Sequence, residues 1–496
     1  MFNIDPLVSS QQTTKSQPFA AKASLAVIGG GLAGLSAAWL LKDKYDVTLF
    51  ESHERVGMGV FTADYHSNGI STRIDIPLRI FTKGYYPQLF ALYDHLNIEM
   101  ESSDHSSVFQ TSELQPKTNS SIEQVAQSSP QHSPAPVSPF FQYNNVKLMN
   151  KPFRYLSRNS LNVESLKLLL AHTEFFKQAN KDVADNQGEL LKSITFRQYL
   201  SRHSFNQSFI HKMLLPALSV TCTCDYEGIF NYPADVILGY LTCGVMDDGI
   251  VRAKQGVDGI VPKITQGYKV CCAEEIQSLT FSGRPQDRIL LTSKNKNDNI
   301  VKSLSFDKVV VATQADIAQK ILASGTGQCS EDGLQYNSED SSVQAQQAML
   351  LARIPMQCSS MTLHTDTSVV YNYKKAAPVS YIVNGKESST SVDLTKSFST
   401  YRLQQPIYQT WNAHTEINPD HIIRQQQFTR PLVTLDSRQA VSKLKQLNHN
   451  SPIKIVGSYM ANKIPLLDAA VESSVDIAQQ LGCEIPWIKS NALTAV

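Results

Sequence analysis

The feature that most restricts how this chain can fold is the segment Leu25-Ala26-Val27-Ile28-Gly29-Gly30-Gly31-Leu32-Ala33-Gly34. Four aliphatic residues predict a short strand buried on both faces, the glycines predict a tight turn, and Leu35 to Leu41 continues as a helix. In such a unit each glycine has a mechanical task. Gly29 permits the sharp exit from the strand. Gly31, without a Cβ, lets backbone approach a pyrophosphate. Gly34 lets the helix pack closely on the sheet. The helix mouth at Leu32 and Ala33 turns unpaired N–H groups and the positive end of the helix dipole toward the phosphates.

A glycine pattern alone is weak evidence, but here its surroundings agree. Val47-Thr48-Leu49-Phe50 reads as the second strand, and it ends in Glu51, about 20 residues beyond the first glycine. An acid there accepts hydrogen bonds from ribose hydroxyls and repels a 2′-phosphate, which favours FAD or NAD over NADP.

Composition bounds the remaining possibilities. The 496 residues exceed what one compact core usually serves, so two interlocked domains are expected. With 45 basic against 44 acidic residues the formal charge is +1, which gives no electrostatic footprint for nucleic acid. Eight scattered cysteines lack the rhythm of a disulfide framework and fit a reducing, cytoplasmic setting. No apolar run is long enough to span a bilayer, because Leu25 to Leu41 is interrupted by its glycines; peripheral membrane contact stays open. There is no Gly-x-Ser-x-Gly, His-Glu-x-x-His or zinc-type cysteine spacing, so neither a hydrolase nor a metal site is expected.

Residues 1–23 read as a disordered tail. Residues 101–139, crowded with Ser, Gln and Pro, read as a disordered insertion, and 325–342 as a shorter stretch of the same kind. Helical patterns are expected at 163–178, 195–199, 206–218 and 233–242. Strands are expected at 270–281, 289–292, 306–312, 361–364, 379–383 and 453–456, and a last helix over 465–481.

The run Glu51-Ser52-His53-Glu54-Arg55-Val56-Gly57-Met58-Gly59 resembles the flavin-containing amine oxidase superfamily, in which a glutamate is followed by an arginine and paired glycines. Glu51, Arg55 and Gly57 match; Met58 stands where the second glycine is usual, with Gly59 one place later. The resemblance implies FAD, with Arg55 against its phosphates and Ile276 bordering adenine. It also implies that Gly457, Ser458 and Leu466 belong to a final strand-turn-helix whose N-terminus meets the flavin. Cys483 lies in no covalent-flavin motif, so the FAD is expected to be non-covalent.

Within this superfamily the chain resembles predicted NAD/FAD-binding, amine oxidase-like proteins often encoded beside cyclopropane fatty acid synthases. The likeness rests on Ile74 to Phe81, Tyr85-Tyr86-Pro87, Leu363-His364-Thr365-Asp366, Tyr401 to Gln404, Glu416 to Pro419 and Ile464 to Leu467.

The fold expected is α/β: a Rossmann-type FAD-binding domain from 24–75, 250–325 and 450–485, with an interleaved α+β substrate domain from 76–249 and 343–449. The expected activity is hydride abstraction from a small-molecule substrate, lipid-like or amine, by an FAD-dependent oxidoreductase. A flavin-dependent isomerase or desaturase and a non-catalytic binding protein are the competing readings. His364, Asp366 and Arg79 are the candidates facing the flavin, with Tyr401 and Trp411 as candidate substrate walls. Each has a structural alternative: His364 as a packed core histidine, Asp366 as a turn cap, Arg79 as a partner of Asp75.

Overall fold

A computed structural model describes residues 22–67, 69–111, 139–148, 151–185, 188–244, 249–284, 287–325, 339–401 and 403–488. The expected tail (1–21) and most of the expected insertion (112–138) lie outside these, as do residues 326–338 and Arg402.

Ser24–Ile28 forms the middle of a five-stranded sheet, flanked by Asp46–Phe50 and Lys308–Val311, with Lys269–Cys271 and Ile453–Ile455 at the edges. All pairings are parallel. Both faces are covered, which explains why the strands read as continuous apolar runs. Leu25, Val27 and Val310 point toward helices Leu32–Leu41 and Leu467–Gln480. Ala26, Ile28, Val309 and Val311 point the other way, into a core shared with the antiparallel strands near Leu279 and Leu291 and the helices carrying Ile321, Leu351 and Leu444. Every residue of Leu32–Leu41 is buried. Its one hydroxyl, Ser36, donates to Leu32 O at 2.7 Å and lies 3.0 Å from Ser474 of the last helix.

The second layer is an eight-stranded mixed sheet in the order 422–431, 356–364, 408–411, 387–393, 379–384, 107–111, 139–148, 151–156. Its apolar face packs on helices between Val163 and Thr242. Among the described residues, no helix is long and apolar enough to cross a membrane.

Several sequence expectations need correction. The Ser-rich stretch from 101 begins with structure: Met100–Ser103 pairs with Ile250–Ala253, and Ser107–Thr111 enters the large sheet. Low hydrophobicity misleads there because the strands draw their partners from distant, more apolar segments. Helix Glu339–Leu351 starts inside the stretch read as a loop to 342. The helix expected over 206–218 is interrupted by a π-type turn at Ile210–Leu214, just before Pro216, which has no N–H to donate and crowds the preceding turn. Phe81, Leu89 and Leu92 bury themselves in the core of Leu32–Leu41, beyond the boundary drawn at 75.

Candidate dinucleotide and substrate site

A single cleft of about 990 Å³ runs from the glycine turn, past the start of the last helix, to one face of the eight-stranded sheet. Ligand pockets usually span roughly 300–1,000 Å³, so this one has room for an extended molecule and a second small one.

The glycine turn is built by exclusion. Gly29 sits at φ +109°, a conformation that side chains disfavour. A Cβ on Gly34 would lie 1.9 Å from Gly29 O, so only glycine lets the helix start beneath the turn. Gly30 is equally confined: a Cβ would meet Glu51 Oε2 and Val56 Cγ1, each at 2.7 Å. At Gly31 a Cβ would meet nothing within 4 Å. Three glycines are therefore required by the protein, whereas Gly31 faces the open cleft. That is the arrangement a phosphate cradle needs, since the space a side chain would fill is left free beside the helix mouth.

Glu51 Oε2 accepts from Gly30 N at 2.6 Å, and Oε1 accepts from His53 N at 2.9 Å with His53 Nδ1 at 2.6 Å. Oε2 has Gly30 N as its one donor among the described residues, so its second lone pair can still accept from a ribose hydroxyl. Arg55 donates to Thr62 Oγ1. Gly57 and Val60 close a tight turn, in which Met58 takes φ +55° and donates its N–H to Gly30 O at 3.2 Å. The missing second glycine is thus absorbed by a strained methionine whose side chain is buried.

Gly29, Gly31, Leu32, Ala33, Glu51, Arg55, Gly57, Ile276, Gly457, Ser458, Leu466 and Arg79 all line this cleft. Gly34 lies just behind it. The last helix begins at Leu467 with no side-chain cap, so its first amides are free to face the cleft.

His364 and Asp366 do not line the cleft. His364 is fully buried, with Nε2 2.7 Å from Thr410 Oγ1 and its ring stacked near Tyr408; burial pushes its pKa down to about 4. Asp366 accepts from Ser368 N at 2.9 Å and Ser368 Oγ at 2.7 Å, and from Asn418 N at 2.9 Å. Both follow their structural alternatives, the packed histidine and the turn cap. Tyr401 is also buried, beneath the Arg252 guanidinium, whereas Trp411 does line the cleft.

Asp75 and Arg79 do not pair. Asp75 Oδ2 accepts from Val257 N at 2.9 Å, at the start of helix Gly256–Ile264. Gly256 takes φ +57°, and a Cβ there would lie 2.1 Å from the same oxygen. Burial raises the Asp75 pKa to about 6, against the opposing pull of the Val257 bond and of Arg252 and Arg79; Asp258 adds to the rise. A raised folded-state pKa means that stability is fully present below the unfolded value near 4 and lost as pH rises through 6. Asp75→Asn keeps an acceptor for Val257. Its stability relative to the parent is expected to rise by up to about 3 kcal/mol between pH 4 and pH 7, measured as urea midpoints across that range. A difference that stays flat with pH would remove Asp75 as a buried titrating group.

Sequence reasoning missed His105, hidden in the Ser-rich stretch. It lines the cleft with Tyr240, Tyr381 and Gln409, its Nδ1 2.8 Å from Ser103 Oγ, and burial lowers its pKa to about 4. It is therefore a neutral imidazole at neutral pH. Arg430 was missed as well. It reaches the cleft from Ile422–Pro431, an edge strand of the large sheet.

The parallel sheet, the glycine turn and the cleft at the carboxyl ends of its strands define a Rossmann-type dinucleotide-binding fold joined to a second, mixed layer. The family of NAD(P)-binding Rossmann-like domains matches residues 27–96. Among solved structures, cyclohexylamine oxidase from Brevibacterium oxydans IH-35A superposes with a TM-score of 0.54 at 13% identity, covering 93% of this chain and 100% of that one. A single-substitution variant of putrescine oxidase, made to redesign its cofactor binding, gives 0.55 at 12% identity over 93% and 99%. The overall architecture is therefore that of the amine oxidases. No curated protein matches by sequence.

Proposed function

We propose that the protein is an FAD-dependent oxidoreductase that oxidises a small molecule held in the chamber between the flavin position and the large sheet. The observation carrying this reading is Gly31, whose missing side chain leaves open space at the helix mouth while its neighbours are closed by protein. In this reading the amides of Leu32 and Ala33, with Arg55, hold the diphosphate, Glu51 holds a ribose, and Ile276 borders the adenine. Residues 457–467 present the second helix mouth to the far end of the cofactor. The segments 24–75, 250–325 and 450–485 then form most of the cofactor's domain.

Bound FAD supplies a two-electron acceptor for hydride from a substrate C–H bond. The chain's own contribution is binding and orientation. Tyr240, Tyr381 and Trp411 supply an apolar wall for an acyl- or amine-type substrate, as the resemblance to amine oxidase-like proteins also suggests. His105, neutral and 2.8 Å from Ser103 Oγ, serves as a hydrogen-bonding group toward the substrate.

The test is spectral. The purified protein, reconstituted with FAD, is expected to show a flavin spectrum and to release unmodified FAD on denaturation. Glu51→Ala removes a charge-assisted acceptor worth about 1.5–3 kcal/mol, or roughly 10–150-fold in FAD affinity. Unchanged affinity on titration would take Glu51 out of the site. A protein that never takes up flavin would return the reading to a non-catalytic binding role.

A further inference from the structure

Beyond Arg55, three guanidinium groups among the described residues line the cleft: Arg424 donates to Thr62 O at 2.8 Å, whereas Arg79 and Arg430 each keep a buried nitrogen without a partner. Arg79 Nη2 donates to Gly59 O at 2.9 Å, and its Nε is buried without a partner. Arg430 Nε is also buried without a partner, and its guanidinium lies 5.5 Å from the Phe428 ring, which supplies no formal charge. Among the described residues, no carboxylate comes within ion-pair distance of either, and Asp75 is turned to Val257. The two arginines repel one another: burial first, and then Arg79, lower the Arg430 pKa to about 9. Arg79 also feels the Asp75 carboxylate from beyond ion-pair distance, but Arg430, among the described residues, has only Arg79 as a charged neighbour acting on it. A guanidinium with its Nε buried and unpartnered is costly unless something anionic joins it.

We propose that Arg79 and Arg430 form a binding site for a carboxylate carried by the substrate, so that the protein acts on an organic acid. The proposal rests on the flavoenzyme reading. Substrate is favoured over cofactor phosphate as the source of the charge by the proposed placing of the cofactor and by where these arginines sit. The phosphates already have a helix mouth and Arg55. Arg79 follows a backbone stretch fixed to the large sheet by Gln409, whose amide accepts from Leu78 N at 2.8 Å and donates to Asp75 O at 2.7 Å, on both sides of Pro77. Gln409 lies in the large sheet that forms the chamber wall. A pair of forked guanidinium groups can bind a planar carboxylate bidentately, as it can a phosphate, and the experiment below separates the two. The pair would repel a protonated amine, so the substrates named for the structurally similar oxidases fit this chamber poorly.

The experiment titrates FAD-loaded protein with acetate, hexanoate, dodecanoate and benzoate, and with methyl hexanoate as the uncharged control, while following the visible flavin bands. At least one carboxylate is expected to perturb the spectrum saturably and the ester to do nothing. Arg430→Gln should weaken that binding by about tenfold or more, the loss expected for a charge-assisted bond, with FAD affinity unchanged. Arg430→Lys, which keeps the charge and loses the fork, should fall between. If Arg430→Gln instead loosens FAD, the pair serves the cofactor's phosphate and the proposal fails. It also fails if ester and acid bind alike, or if no carboxylate perturbs the flavin. Should the parent protein take up no FAD, the flavoenzyme reading falls by itself; calorimetry of the carboxylates with the FAD-free protein and with Arg430→Gln then decides the anion site.

Discussion

Gly31→Val is expected to give a folded protein that no longer holds FAD. The substituted Cβ meets no protein atom within 4 Å, and Gly31 already has φ −71° and ψ 175°, which valine adopts readily. The isopropyl group would occupy the space left for the diphosphate and hold it away from the amides of Leu32 and Ala33. Loss of close contact at a phosphate site costs about 3 kcal/mol or more, roughly 100-fold in affinity. Urea unfolding without FAD should match the parent, while FAD titration should show no saturable binding at micromolar concentrations. Gly34→Ala is the opposing control. Its Cβ falls 1.9 Å from Gly29 O, so it should destabilise the FAD-free protein by at least about 1–3 kcal/mol. A Gly31→Val protein that stays fully yellow would overturn the assignment of the cradle.

The largest stability effect is expected far from the glycines. Arg252 donates from Nε to Glu101 at 2.7 Å, from Nη1 to the Tyr401 hydroxyl at 2.6 Å and from Nη2 to Thr400 Oγ1 at 2.8 Å. Its guanidinium also stacks 4.4 Å from the Phe398 and Tyr401 rings. Arg252 and Glu101 side chains are 5% and 8% exposed, so neither charge has water to fall back on. Arg252→Ala leaves Glu101 buried and unpaired, which typically costs about 3–5 kcal/mol. Arg252→Met combined with Glu101→Leu should recover much of that loss, because it removes both charges and restores apolar contact. Chemical denaturation of the three proteins checks this. A single variant as stable as the parent would show that the pair is hydrated in solution.

The nucleotide half was readable because its constraints are local. Strand, glycines, helix and Glu51 lie within thirty residues, and each restricts its neighbours through sterics alone. The chamber was less legible because its residues meet only through long-range pairing. Arg79 and Arg430 share a cleft through the folding of the large sheet, and nothing adjacent to Thr429-Arg430-Pro431 marks the arginine as different from a surface one. His105 sits among serines that read as disorder, yet Ser107–Thr111 is held parallel to Val379–Asn384, a partner more than 250 residues away. His364 misled for the converse reason. Met356–His364 is an interior strand whose register with Tyr408–Trp411 aims the imidazole at Thr410, and alternation along one strand cannot say which face a cavity adjoins.

The sheet that carries the glycine turn takes its five strands from residues 24–50, 269–271, 308–311 and 453–455, and the last helix packs directly on the first. During synthesis the opening strand and helix therefore leave the ribosome long before their neighbours exist. Their apolar faces must wait, shielded by chaperones or transient collapse, until residues 453–480 emerge. On the proposed reading, a dinucleotide gripped by both helix mouths would be captured only after that moment, so cofactor supply would act once residues 453–480 are in place and not earlier on the nascent chain.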